Sequence, residues 1–495
     1  MPGIENDNLT LSENKGYGKA LFGRKVIYTD ETEITSENVV EVIRNAFNEH
    51  ESNRNDINYL YDYYKGNQPI LERFKQIRPD ICNKIVTNYA NEIVSFKVGY
   101  LISESVQYVA LSDKNDAVNT LNGYMYQVGK HSQDQEILEW NHICGTAYRY
   151  VQALEPNSVE AGDSPFDLFT LDPRTTFMVY SSTFKKTRMA GATYTISDPE
   201  GKIKNFVVYT KKFIYMFEDD GENLGKFEVK PNPLNEIPIF EYPANNARLG
   251  AFEIVLPLLD AINRCESTRL DAEEQQVQAF LKFINCEIDN NGLANLREYG
   301  AIKIKSTSDA PADVEAVETN FSQDGAQTNK DDLYQAVLTI CGMPVQGNGQ
   351  SISANNGAIL IQNGWSQAEA RAQASEVAFK ASERLMLNLV FDICKTNGKD
   401  NIELRISDIE PKFKRHNYEN VQVKAQVLCE MLNSPRVHPK LAFESCGLFS
   451  DPENAYLISE EHYKESLEEW EIENNPDDDK ADKNNGTEGN TVRTD

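Results

Sequence analysis

Apolar positions first fall into a helical rhythm just after Ser36, where Val39, Val40, Val42, Ile43 and Phe47 follow one another along one face. That spacing predicts a helix, and Glu37 and Glu41 sit where a helix N-terminus favours negative charge. The preceding residues 1–35 are polar and keep no lasting period, which predicts an arm with little core. An aromatic knot, NYLYDYYKGNQPIL, carries Tyr59, Tyr61, Tyr63 and Tyr64 and ends at Gly66. Four aromatics beside a helix read as core rather than as a base-stacking surface. Two more segments predict helices: CNKIVTNYANEIVSFKVGYLI, broken at Gly99, and DQEILEWNHICGTAYRYVQ (134–152), interrupted at Gly145.

From about 150 to 242 the period shortens. FDLFTLD, TFMVY, AGATYTI, KNFVVYT, FIYMFED and GKFEVK are β-branched or aromatic runs separated by turn residues, the pattern of a mainly antiparallel sheet. Residues 250–284 return to helical spacing, with Pro257 in the first two turns, where it is tolerated. Between Asn263 and Gln278 the apolar positions thin to Cys265, Leu270, Ala272 and Val277. A helix this polar predicts an exposed spacer or a surface packed by neighbouring chains. Residues 285–320 have strand and turn character around EYGAIKIKS, and a helix over about 330–340 stops at Cys341-Gly342-Met343-Pro344. The uncharged loop VQGNGQSISANNG (345–357) follows. Residues 365–397 hold neither Gly nor Pro, enough for a helix of about 50 Å at ~1.5 Å per residue. A strand at ELRISDI and helices near 418–433 and 453–470 complete the pattern. The tail from Glu471, rich in Asp, Asn and Gly, reads as disordered.

Length and charge narrow the function. The 495 residues correspond to about three folding units, and 40% apolar content supports packed cores. No run approaches the ~18 apolar residues a membrane helix needs, and MPGIENDNLTLSENKG lacks the basic head and apolar core of a secretory signal. The eight Cys are scattered and never paired as C-x-x-C, the pattern of reduced thiols in an intracellular protein. The net charge of −28 argues against tight coating of DNA, because phosphate contacts need a basic surface.

No catalytic constellation emerges. Gly347-x-Gly349 lacks the Lys and hydroxyl of a nucleotide-binding loop. The six His make no zinc spacing, so each reads as a surface or satisfied core residue. Cys144 and His142, two apart on a helix, do not face each other, so Cys144 reads as a core thiol rather than as half of a catalytic dyad. The run Asp477-Asp478-Asp479 has no rigid scaffold to give Mg²⁺ its geometry. No metal and no cofactor is expected.

Taken in order, Tyr61-x-x-Tyr64-x-Gly66, Asn83-Lys84-Ile85, Val98-Gly99-Tyr100-Leu101, Ile237-Pro238, Asn245-Asn246, Leu259-Asp260-Ala261-Ile262-Asn263 with Ser267, and Gly447-Leu448-Phe449-Ser450-Asp451-Pro452-Glu453 resemble one family. It is that of the portal proteins of tailed double-stranded DNA phages, of the long non-contractile-tailed type from Gram-positive hosts. The resemblance spans roughly residues 36–470. It implies an α+β, mainly helical portal fold that assembles into a ring of about twelve subunits. The implied parts are an N-terminal arm (1–35), a wing of helices then mainly antiparallel sheet (36–249), a first stem helix (250–284), a small α/β clip (285–320) and a second stem helix (321–344). A tunnel loop (345–357), a long wing helix and strand (358–415), a helical crown (416–470) and an acidic tail (471–495) follow.

The implied role is a channel for DNA packaging and ejection at one capsid vertex. Its implied partners are double-stranded DNA, the terminase ATPase, the head-completion adaptor, and capsid and scaffolding proteins, with no membrane. The implied locations are the virion and, during assembly, the host cytoplasm. Gln346, Asn348, Gln350, Ser351, Ser353, Asn355 and Asn356 would face the DNA, offering hydrogen bonds without charge. Arg297, Glu298, Lys303 and Lys305 would meet the motor and adaptor. The alternative is a nucleic-acid-processing enzyme, a nuclease or motor subunit, whose active residues are not apparent in the sequence.

Overall fold

The computed structural model describes residues 19–474 apart from 77, 112, 198–202, 222, 278–279, 286–310, 318–321, 346–363, 401, 414, 416–420 and 450. The chain forms two compact units, one of residues 1–354 and 358–415, the other of residues 355–357 and 416–495.

The first unit begins with strand β1 (Ile27–Thr29) and helix α1 (Val39–Lys65). Residues 19–35 contribute more than an arm would: Leu21, Ile27 and Ile34 are buried, and β1 pairs in parallel with β5. Helix α1 runs unbroken through the predicted start and the tyrosine knot. It ends where Gly66, at φ 97°, and Asn67 return their N–H groups to Tyr63 and Asp62, a left-handed C-terminal cap that suits glycine.

Helix α2 (Tyr89–Leu101) contains Gly99 within it, so the predicted break is absent, and residues 82–88 before it are not helical. After β2 (Gln107–Ala110) and α3 (Asn115–Gln127), helix α4 (Lys130–Cys144) stops abruptly, and Thr146–Ala153 is strand β3. The helix expected over 134–152 is therefore half strand. Gly145 makes the switch: its φ is 81°, and a Cβ there would lie 2.0 Å from the Arg248 carbonyl oxygen.

Strands β4 (Phe166–Leu171), β5 (Thr176–Ser181), β6 (Arg188–Ile196), β7 (Lys204–Tyr209), β8 (Phe213–Asp219) and β9 (Leu224–Pro231) coincide with the six predicted runs, and β10 is Ile239–Pro243. They form a six-stranded sheet of order β1-β5-β6-β7-β8-β9 and a three-stranded sheet of order β10-β3-β4. The N-terminal half of α1 packs Val39, Ile43 and Phe47 on the larger sheet. The larger core joins α1 to α4, the smaller sheet and the long helix α7 (Trp365–Asn397). Strand β13 (Ile409–Lys412) pairs antiparallel with β2.

A buried ion quartet holds α7 on this core. Glu383 of α7 lies 2.9 Å from Lys130 Nζ and 3.3 Å from Arg149 Nη1, and Asp134 pairs with both cations. The Tyr242 hydroxyl donates to Glu383 at 2.7 Å, and the Tyr108 hydroxyl donates to its other oxygen. Two positive and two negative groups balance, and the tyrosines fill remaining acceptor positions, which a buried charge requires.

The second unit is a group of three helices: α8 (Val421–Leu432), α9 (Pro439–Cys446) and α10 (Pro452–Asn474). Helix α9 was not expected from the sequence. Phe443 is its buried centre, flanked by Phe449 and Tyr456 at ring distances of 5.4 and 6.0 Å.

Candidate functional site: an antiparallel helix pair

Two helices carry the region where candidate function was placed. Helix α5 (Leu256–Val277) is followed by β11 (Phe280–Ile284), and β12 (Asp313–Val317) precedes α6 (Gln323–Cys341). The helical run expected to reach residue 284 thus ends at Val277 and passes into strand. β11 and β12 pair antiparallel, with Ile284 opposite Asp313.

The helices themselves run antiparallel. Cys265 contacts the Ala326 carbonyl, Arg269 Nη1 donates to Gln327 at 2.8 Å, Lys330 pairs with Glu266 at 3.1 Å, and Cys341 contacts the Ala251 carbonyl. One end of the pair therefore carries the β11–β12 ladder. The other end releases the chain at Gly342. At about 1.5 Å per residue, the 19 residues of α6 separate these ends by roughly 28 Å.

At the Gly342 end the backbone is tightly specified. Gly342 adopts φ 67° and, with Met343, donates to the Thr339 and Leu338 carbonyls, closing α6 with a glycine cap. Gly364, at φ 78°, precedes α7, and a Cβ on it would lie 3.6 Å from the Pro344 Cα. The chain thus leaves at Pro344 and rejoins at Gly364 in one place. The expected DNA-facing residues Gln346, Asn348, Gln350, Ser351, Ser353, Asn355 and Asn356 lie outside the described residues. So do the expected docking residues Arg297, Glu298, Lys303 and Lys305.

The polar face of α5 has an explanation that sequence reasoning missed. Asp260, Asn263, Ser267 and Asp271, spaced three, four and four apart, are all buried in this chain. Asp260 accepts from the Tyr63 hydroxyl at 2.9 Å. Asn263 accepts from the Thr87 amide at 3.0 Å and donates to Gln68. Ser267 accepts from the Ile85 amide at 2.9 Å. Asp271 accepts from the Asn83 amide at 2.7 Å and pairs with Arg73 and Lys75 at 2.9 and 3.1 Å. These ligands hold its carboxyl below the usual carboxylate range against the opposing effect of burial.

The stripe supplies hydrogen-bonding partners to the half-buried, non-helical segment 83–87, satisfying the Asn83, Ile85 and Thr87 amides. This stripe of α5 is buried within its own chain, while Thr268 and Glu273 remain exposed. The sequence signal was present: Tyr61–Gly66, Asn83–Ile85 and Asp260–Ser267 are separate pieces of one resemblance, and the fold brings them together.

Beside the Gly342 end, Lys97, His142 and Arg371 line one cleft with Phe96, Tyr100 and Ser375. Lys97 Nζ donates to the Cys341 carbonyl at 2.8 Å. His142 is buried and its Nε2 has no partner among the described residues, in contrast to the satisfied core histidine expected. Burial and the Lys97 charge lower its pKa to about 3 and keep it neutral. Cys144 does behave as a core thiol, pushed up to about 12 by burial.

Among the described residues no group of three or more His, Cys, Asp or Glu is placed to hold a metal. Among the same residues no helix is long and apolar enough to cross a membrane. The class defined by this fold is a mixed helix-and-sheet protein with an antiparallel helix pair braced along one side by segment 83–87. Residues 43–480 match the family described as phage portal protein, SPP1 Gp6-like, and the chain belongs to that family. A chain in the solved structure "Virion of native gene transfer agent (GTA) particle" is similar over 80% of this chain and 94% of its own length, at 10% identity and a TM-score of 0.44. No curated protein matches the chain.

Proposed function

We propose that this portal-family chain forms a ring of about twelve subunits at one capsid vertex. The ring would conduct DNA during packaging and ejection and dock first the terminase ATPase, then the head-completion adaptor. The observation that carries this reading is the family match across residues 43–480. The helix pair is consistent with it: residues 285–320 and 345–357 lie in sequence at its opposite ends, which suits separate contacts with docking proteins and with DNA. In this reading the 345–357 loop lines the channel. Arg297, Glu298, Lys303 and Lys305 lie at the docking rim, where polar contacts favour exchange of partners. Capsid and scaffolding proteins surround the ring, in the host cytoplasm during assembly and in the virion afterwards. The energy for translocation comes from the separate ATPase, and this chain itself catalyses nothing.

Electron microscopy of the purified full chain, with native mass measurement, tests the proposal. Closed rings of about twelve or thirteen subunits are expected. A stable monomer at micromolar concentration, or ATP turnover by the homogeneous protein, refutes it.

A further inference from the structure

The cleft beside Gly342 is unusual in a chain of net charge −28. Two cationic side chains, Lys97 and Arg371, line it together with the His142 ring. Among the described residues no carboxylate lines it. Glu369 of α7 is already engaged by Arg415 at 2.8 Å and by the Tyr100 hydroxyl at 2.9 Å. Lys97 spends one of its three donors on the Cys341 carbonyl. Arg371 is exposed and makes no ion pair with a described residue. Its stem rests over the bare Cα of Gly342, where a Cβ would lie 2.7 Å from Arg371 Cγ. His142 Nε2 is buried and unpartnered.

A planar guanidinium fork, a point-charge ammonium and, in its Nε2–H tautomer, a neutral imidazole form a donor set matched to a tetrahedral oxyanion. The uncharged sequence 345–363 that leaves and re-enters beside the cleft supplies no carboxylate to neutralise it.

We propose that Lys97, Arg371 and His142 form an oxyanion site that takes the backbone phosphates of duplex DNA. The proposal rests on the reading that the neighbouring 345–357 loop faces DNA. It adds a charged phosphate contact at the base of an uncharged loop. Lys97 gives the site a structural link as well, because the same ammonium caps the C-terminus of α6.

The test uses the full chain with two probes, inorganic phosphate followed by calorimetry and a blunt duplex DNA followed by anisotropy across a salt series. Arg371→Gln is the principal variant, since that side chain is exposed and the fold does not depend on its charge. Phosphate affinity should fall about tenfold or more, the loss expected for one charge-assisted hydrogen bond. The slope of log affinity against log salt for duplex DNA should fall by about 0.9 for each phosphate contact removed. Arg371→Lys should restore part of the slope, and Lys97→Gln should reproduce the loss wherever its thermal unfolding matches wild type.

Equal phosphate affinity in wild type and Arg371→Gln overturns the proposal. Phosphate binding lost with no change in the duplex salt slope marks an adventitious ion only and also overturns it. A drop in assembled mass on Arg371→Gln, with no phosphate binding by wild type, assigns the cleft to a carboxylate of a second copy instead. The loop reading fails separately: Asn348→Lys leaving duplex binding and packaging unchanged, while Arg371→Gln abolishes the salt-dependent term, counts against the loop and leaves the phosphate site standing.

Discussion

Replacing Glu383 with Gln removes one charge from the buried quartet while keeping the side chain's volume. In the native arrangement Glu383 has no exposed surface and receives Lys130, Arg149, Tyr108 and Tyr242. The variant leaves two buried cations against Asp134 alone. Breaking a buried pair in this way costs about 3–5 kcal/mol, because the stranded charge is desolvated without compensation. Unfolding of the full chain by urea, followed by hydrogen exchange along α7, should show that loss and place it at the α7–sheet contact. The double variant Lys130→Met/Glu383→Gln restores neutrality as an Arg149–Asp134 pair and should recover about half of the loss or more. A Glu383→Gln variant within about 1 kcal/mol of wild type, or a double variant no better than the single, refutes the argument.

The same group sets a pH dependence. Although burial opposes it, the two cations and the Tyr108 hydroxyl hold the Glu383 carboxyl down at about 2. A carboxyl depressed below its unfolded value of about 4.3 stabilises the fold fully above that value. The contribution is lost as pH falls from there toward about 2. Acid unfolding should therefore steepen in this window for wild type and be shallower for Glu383→Gln.

Four further outcomes are expected. Asn263→Leu leaves the Thr87 amide and Gln68 without their partner and should cost about 2–3 kcal/mol, with amide exchange accelerated first at Ile85 and Thr87; unchanged protection there would refute the role given to the stripe. Gly145→Ala places a Cβ 2.0 Å from the Arg248 carbonyl in a left-handed backbone. It should yield little folded protein, and a soluble variant with wild-type unfolding would contradict the account of the α4–β3 switch. Lys at Asn348 and Gln350 should slow packaging in a reconstituted system with rings intact, whereas charge reversal of Arg297, Glu298, Lys303 and Lys305 should weaken motor docking; normal packaging in either case removes the corresponding assignment.

The sequence by itself determined the elements whose signal is local. Strands β4 to β9 follow from alternating β-branched and aromatic runs between turn residues, and α7 follows from 33 residues free of Gly and Pro. The family was legible too, because the order and spacing of short motifs survive without knowledge of their contacts. Tertiary structure decided what depends on partners distant in sequence. Gly145 ends a helix and opens a strand because the Arg248 backbone passes against it, about a hundred residues away. The polar face of α5 is matched to the amides of segment 83–87, which no periodicity of α5 alone expresses. The quartet draws Lys130, Asp134, Arg149 and Glu383 from three elements, and the cleft draws Lys97, His142 and Arg371 from three helices. Each of those residues reads singly as an ordinary surface or core position. The low dielectric that makes charges and hydrogen bonds decisive exists only once the chain has closed around them.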